Sequence, residues 1–149
     1  MNQQTADSGS SKPAPQVTIV GLGLIGISIG LGLKQTAGQQ RVIIVGHDKD
    51  AAAAEQARKV KAVDRTEWNL VSAIERADVV ILDLPLPEIR PTLAAMAGEL
   101  KPGCVVTDTA SLKLPVLQAA AEVLPAHVFF VGGHPVIAAA DTSFYKATP

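Results

Sequence analysis

Three glycines, spaced as Gly21-x-Gly23-x-x-Gly26, stand between a β-branched run and a helical pattern. In this context the first glycine permits a tight turn, the second lets the backbone approach a phosphate, and the third lets the helix pack on the strand. The N–H groups at the start of that helix then face an anion. The pattern predicts a loop for a dinucleotide pyrophosphate, with these binding residues: Gly21, Gly23, Leu24, Ile25 and Gly26.

A dinucleotide-binding site of this type also has an acidic residue about 20 positions further on, at the end of the next strand, where it binds the ribose. Asp48 meets this requirement at the end of the run 41–46. A carboxylate there accepts hydrogen bonds from ribose hydroxyls and repels a 2′-phosphate, so the predicted cofactor is NAD rather than NADP, although Lys49 weakens that preference. We expect the neighbouring His47 to pack on the adenine side or to be exposed.

The elements that must position these residues alternate along the chain. Strand patterns lie at 17–21, 41–46, 78–84, 104–108 and 128–131, and helical patterns at 24–37, 50–59, 69–76, 87–100 and 112–124. A short strand is also expected at 60–63, and Asp50 is expected to cap the second helix. This alternation predicts an α/β fold with a doubly wound parallel sheet, a Rossmann-type NAD-binding domain.

In such a sheet the ligand lies beyond the carboxyl ends of the strands. The residues that follow the later strands should therefore meet the glycine loop and Asp48 at one edge. They are Leu84 and Pro85, which we assign to the cofactor, the segment 109–111, and the segment 132–135.

Composition limits the other possibilities. The 149 residues are 48% hydrophobic, enough for one domain at 17–149 behind a polar lead-in at 1–16 that we expect to be disordered. A net charge of −1 without a basic cluster argues against nucleic-acid binding. No apolar stretch is long enough for a membrane span, and no Cys/His spacing indicates a metal. The single Cys104 fits burial in a cytoplasmic protein.

Four motifs together resemble the prephenate/arogenate dehydrogenase family. They are GLGLIG at 21–26, ADVVIL at 77–82, TDTASLK at 107–113 and VGGHP at 131–135, and the resemblance covers most of 17–137. It implies an NAD-dependent oxidative decarboxylation of prephenate or arogenate to the aromatic precursor of tyrosine. The reaction needs a base for a hydroxyl proton, and a neutral imidazole suits that task.

By this resemblance His134 is the catalytic base and Ser111 is the hydroxyl that orients it and meets the substrate. We expect Ser111 also to cap the following helix. Asp108 is expected to order its loop, and Lys113 is expected to be solvated.

The chain departs from the family pattern in three ways. Asp83 stands where a small or apolar residue is expected, and 136–138 differ from the usual loop. Relatives also carry a helical second domain with an arginine for a substrate carboxylate, which we expect to be absent here, and we expect a homo-oligomer in the two-domain form.

Two alternatives stay open at this point. One is a non-catalytic module that binds or senses NAD without turnover. The other is a different Rossmann-type reductase, such as a hydroxyacid dehydrogenase or an imine reductase. Those reductases generally use a catalytic lysine or later residues, so the Gly-Gly-His-Pro element at 132–135 argues against them.

Overall fold

A computed structural model describes residues 13–36 and 41–136 of the chain. Its strands are β1 (Gln16–Val20), β2 (Ile43–His47), β3 (Arg65–Thr66), β4 (Val79–Leu82), β5 (Val105–Asp108) and β6 (Phe129–Val131). Its helices are α1 (Leu24–Thr36), α2 (Ala51–Lys59), α3 (Leu70–Ile74), α4 (Leu86–Met96) and α5 (Lys113–Val123).

The six strands form one parallel sheet in the order β3-β2-β1-β4-β5-β6. The register aligns the strand ends, since Val20 lies between His47 and Leu82, and Leu82 lies beside Asp108. The chain order reverses between β1 and β4, which is where such sheets open a crevice for a ligand. The doubly wound fold predicted from the sequence is confirmed.

Both faces of the sheet are covered by helices. Because successive side chains of a strand point to opposite faces, Ile19 and Ile44 join a cluster with α1 and α2. Val20 and Val45 join the other cluster, with α3, α4 and α5. Because both faces of these strands are buried, their sequences are continuous apolar runs rather than alternating apolar and polar residues.

Most local predictions agree with the structure. Asp50 caps α2, since its Oδ1 accepts a hydrogen bond from the N–H of Ala52 at 2.8 Å. Pro87 and Pro115 lie in the first turns of α4 and α5, where a missing N–H is tolerated. The capping role expected for Ser111 is wrong, because α5 begins with Leu112 at the N-cap and has no side-chain cap.

The strand predicted at 60–63 is wrong. The N–H of Lys61 bonds to the carbonyl of Arg58 and that of Ala62 to the carbonyl of Ala57, so the segment closes α2 as a left-handed turn. Lys61 has φ of 60°, a backbone region usually taken by glycine. The pairing strand comes later, at Arg65–Thr66, where it lies beside β2.

The predicted lead-in at 1–16 falls outside the described residues except for 13–16, and it is wrong for Gln16. That residue begins β1, where it pairs with Ile43 of β2, and its buried side-chain amide donates to the carbonyl of Ala73 at 3.0 Å. Cys104 is fully buried as expected, and burial raises the pKa of its thiol to about 11. No helix in the described ranges is long and apolar enough to cross a membrane.

Candidate functional site

The glycine loop connects β1 to α1 at the reversal point of the sheet. Gly21 has φ of 93°, and a Cβ there would lie 2.0 Å from the carbonyl oxygen of Asp83. A Cβ at Gly26 would lie 2.3 Å from the carbonyl oxygen of Gly21. Both positions therefore exclude any larger residue, and the loop keeps the first turn of α1 against the sheet. The N–H groups of that turn have no acceptor within the helix.

Asp48 lies across the ends of β1 and β2. Its Oδ2 accepts a hydrogen bond from the N–H of Leu22 at 2.7 Å, and its Oδ1 accepts one from the N–H of Asp50 at 2.8 Å. These two bonds fix the carboxylate at the edge of the sheet. Each oxygen keeps a second lone pair, so the group can still accept hydrogen bonds from hydroxyls of a ligand.

A cavity of about 360 Å³ opens at this edge. Its lining comes from the end of β1 and the glycine loop, the end of β2 with the start of α2, the first residue of α3, the segment after β4, and α4: Val20, Gly21, Gly23, His47, Asp48, Lys49, Asp50, Ala53, Leu70, Asp83, Leu84, Pro85, Glu88 and Thr92. Five of the predicted cofactor residues are in this lining, namely Gly21, Gly23, Asp48, Leu84 and Pro85. The other three, Leu24, Ile25 and Gly26, are not in it and lie at the start of α1.

His47 faces this cavity but is not exposed. It is 8% exposed, and its Nδ1 lies 2.9 Å from the carbonyl oxygen of Glu67. A second cavity, of about 390 Å³, adjoins the first and is also lined by His47 and Asp48, together with Arg58 and Trp68. Of the two alternatives expected for His47, the structure excludes exposure, and its place in the cavity lining agrees with packing.

The side chain of Asp83 has an orientation that the sequence did not predict. Its Oδ2 accepts a hydrogen bond from the N–H of Gly26 at 2.7 Å, and its Oδ1 accepts one from the hydroxyl of Thr109 at 2.7 Å. The carboxylate thus joins the glycine loop to the end of β5. Sequence reasoning identified the residue as unusual but had no signal for the direction of its side chain.

A second group of residues lies beyond β5 and β6. Asp108 is buried and accepts hydrogen bonds from the N–H groups of Ala110 at 3.0 Å and Gly133 at 3.2 Å. The ammonium of Lys113 contacts both the carboxylate of Asp108 and the carbonyl oxygen of Gly133. Asp108 has the structural role expected of it, whereas the expectation that Lys113 is solvated is wrong, because this pair ties α5 to the loop that precedes His134.

Ser111 and His134 are both exposed and follow the neighbouring strands β5 and β6. They lie outside the lining of the 360 Å³ cavity. Within the described residues no hydrogen bond joins the two side chains, and no cluster of His, Cys, Asp and Glu could hold a metal ion. The structure therefore separates the cavity around Asp48 from an open surface that carries Ser111 and His134.

The parallel sheet, its order, the glycine loop at the reversal point and an acidic residue at the end of β2 define a dinucleotide-binding domain of the Rossmann type. Residues 29–147 match the sequence model of a family described as "Prephenate dehydrogenase, nucleotide-binding domain". The chain belongs to this family.

Individual relatives of the chain are also dehydrogenases of this kind by name. The chain is 32% identical over 146 residues to the prephenate dehydrogenase of Bacillus subtilis, covering 89% of this chain and 39% of that protein. It is 32% identical over 120 residues to the cyclohexadienyl dehydrogenase of Zymomonas mobilis, covering 80% and 40%. The chain thus spans about two fifths of the length of these relatives.

Solved structures show the same fold. Arogenate dehydrogenase from Synechocystis superposes with a TM-score of 0.76 at 29% identity, covering 89% of this chain and 45% of that one. Prephenate dehydrogenase from A. aeolicus, solved with hydroxyphenyl propionate and NAD+, gives a TM-score of 0.78 at 23% identity, covering 91% and 46%.

Proposed function

We propose that this chain is the NAD-binding part of an oxidoreductase that decarboxylates prephenate or arogenate oxidatively, forming the aromatic precursor of tyrosine. The observation that carries the proposal is the cavity at the carboxyl edge of the sheet, which Gly21, Gly23 and Asp48 line together. The names of the relatives, prephenate, cyclohexadienyl and arogenate dehydrogenases, support the choice of substrate class.

The residues of the cavity suit the parts of NAD. Leu70, Leu84 and Pro85 provide apolar surface for an adenine ring. Asp48 would accept hydrogen bonds from ribose hydroxyls. The backbone at 21–26 would hold the pyrophosphate, because Gly21 and Gly26 bring α1 close to the end of β1 and the first N–H groups of a helix face an anion, although that of Gly26 is already bonded to Asp83. When bound, NAD accepts the hydride that the oxidation releases.

His134 is proposed as the base for the substrate hydroxyl and Ser111 as the group that orients it. Both are exposed at the same edge as the cavity, on loops that follow adjacent strands. The Lys113 contacts support this assignment, since they fix Gly133, the residue before His134. A cytoplasmic location belongs to the same proposal, as the single buried Cys104 offers no partner for an internal disulfide.

The proposal is tested by titrating the chain with NAD and with NADP in a calorimeter. We expect saturable binding with a preference for NAD. Asp48→Ala should weaken NAD binding about tenfold and reduce the preference over NADP, because the ribose loses a charged acceptor. Equal affinities for both cofactors before and after the change would refute the role of Asp48.

Prephenate is then added to the cell that contains NAD, and the absorbance of NADH is followed. Turnover that disappears in His134→Asn would support catalysis by this chain. Binding without turnover would restrict the chain to the cofactor, which is also what a non-catalytic NAD-binding module predicts. A homo-oligomer in the two-domain form stays a prediction, and sedimentation of that form over a concentration series tests it.

A further inference from the structure

The carboxylate of Asp83 lies on the inner side of the glycine loop. Its Oδ2 is 2.7 Å from the nitrogen of Gly26. A Cβ built on Gly23 would come within 3.3 Å of the same oxygen, and one built on Gly26 within 3.2 Å. The open space that these two glycines create is therefore partly filled by a side chain of the protein itself.

The charge of Asp83 is not neutralised by a neighbouring cation. Its two hydrogen-bond donors, the N–H of Gly26 and the hydroxyl of Thr109, are uncharged. In the described part of the chain, no Lys, Arg or His nitrogen lies within 4.0 Å of this carboxylate. Asp83 is half-buried and lines the 360 Å³ cavity, so its field extends into the space a ligand would enter.

We propose that Asp83 is a specificity-determining residue that weakens the binding of phosphate-bearing ligands at this loop. It takes one backbone N–H that would otherwise face a phosphate, and its negative charge opposes the two charges of a pyrophosphate. The proposal rests on the proposed function, because it concerns the cavity assigned to NAD. A ligand without phosphates, such as adenosine, lacks the negative charge that Asp83 opposes, so its affinity should depend little on the charge of Asp83.

The sharpest variant is Asp83→Asn, which keeps the shape and removes the charge. The amide oxygen can still accept from Gly26 and the amide nitrogen can donate to the Thr109 oxygen. A unit charge about 6 Å from a phosphate in a partly solvated site changes an affinity by roughly tenfold. Asp83→Ala serves as a second variant that also frees the Gly26 N–H. The control is Glu122→Gln, which removes a negative charge from the exposed side of α5.

Calorimetric titrations with NAD and with adenosine separate the outcomes. The proposal expects NAD to bind about tenfold more tightly to Asp83→Asn or Asp83→Ala than to the wild-type chain, with adenosine and the control changed less than about twofold. If NAD binds the wild-type chain but binds neither variant more tightly, the inference is overturned and the proposed function stands. An equal gain for adenosine also overturns it. Absence of NAD binding to the wild-type chain and to both variants overturns the proposed function together with the inference.

Discussion

The contact between Lys113 and Asp108 shows how one pair of charges organises the loop that carries His134. Asp108 has no exposed side-chain surface, and Lys113 is 29% exposed. A buried carboxylate requires donors on both oxygens, and here they come from α5 and from the N–H groups of Ala110 and Gly133. Because the same ammonium also contacts the Gly133 carbonyl, removing it would affect the fold and the loop together.

Replacement of Lys113 by methionine should therefore lower the free energy of unfolding by about 2 kcal/mol, since it leaves a buried carboxylate without its cation. Lys49→Met is the matched control, because its pair with Glu88 is exposed, with side chains 79% and 42% accessible. That change should cost less than about 0.5 kcal/mol. Urea denaturation measures both. A loss for Lys113→Met no larger than the control would show that the pair contributes little.

At the scale of elements, a turn closes α2 where the sequence predicts a strand at 60–63. A short apolar segment, Val60, Ala62 and Val63 around one lysine, directly follows the helix there, as a buried strand would. The helix end is instead closed by backbone hydrogen bonds to Ala57 and Arg58, with no glycine to mark the turn. Ala62 and Ala57 are both fully buried, so packing between them stabilises the turn despite the strained backbone of Lys61.

Lys61→Gly should consequently stabilise the protein by about 0.5–1 kcal/mol, because relief of a left-handed L-residue outweighs the extra entropy of glycine in the unfolded chain. Lys61→Ala is the control, since it removes the exposed side chain and keeps the backbone restriction. Thermal denaturation of the two variants and the wild-type chain distinguishes them. An unchanged or lower midpoint for Lys61→Gly would mean that the turn is not strained.

The elements also differ in how well the sequence predicts them. Strand and helix periods, the glycine loop and Asp48 are local patterns, and apart from the strand expected at 60–63 the structure has them near the predicted places. The side chain of Asp83 is oriented by a hydrogen bond to Gly26, which is 57 positions away in the chain. That of Lys113 is oriented by a contact with Gly133, which is 20 positions away. Such contacts follow from the register of neighbouring strands, which a local pattern does not specify.

At the scale of the whole molecule, two edges of one sheet offer cavities of different character. The amino edge has the larger one, about 790 Å³, lined by residues that include Arg65, Arg76 and Lys101. Lys101 there already pairs with Asp78 at 2.7 Å. The carboxyl edge has the smaller cavity but also the reversal of strand order and the α1 N–H groups, which is why we assign the nucleotide to it.

Amide hydrogen exchange with and without NAD tests this choice of edge. Amides at 21–26, 48–50 and 83–84 exchange when the structure opens locally, and a ligand at the carboxyl edge should suppress that opening. Their exchange rates should fall by up to about 100-fold when the ligand is present at a hundred times its Kd. Adenosine should protect 48–50 and 83–84 but leave 24–26 unchanged, because it has no phosphate to reach the start of α1. Amides at 14, 16, 76 and 101 serve as the internal control, since they lie at the opposite edge. If NAD instead slows exchange mainly at these control amides, the nucleotide binds at the amino edge, and the assignment of the glycine loop is contradicted.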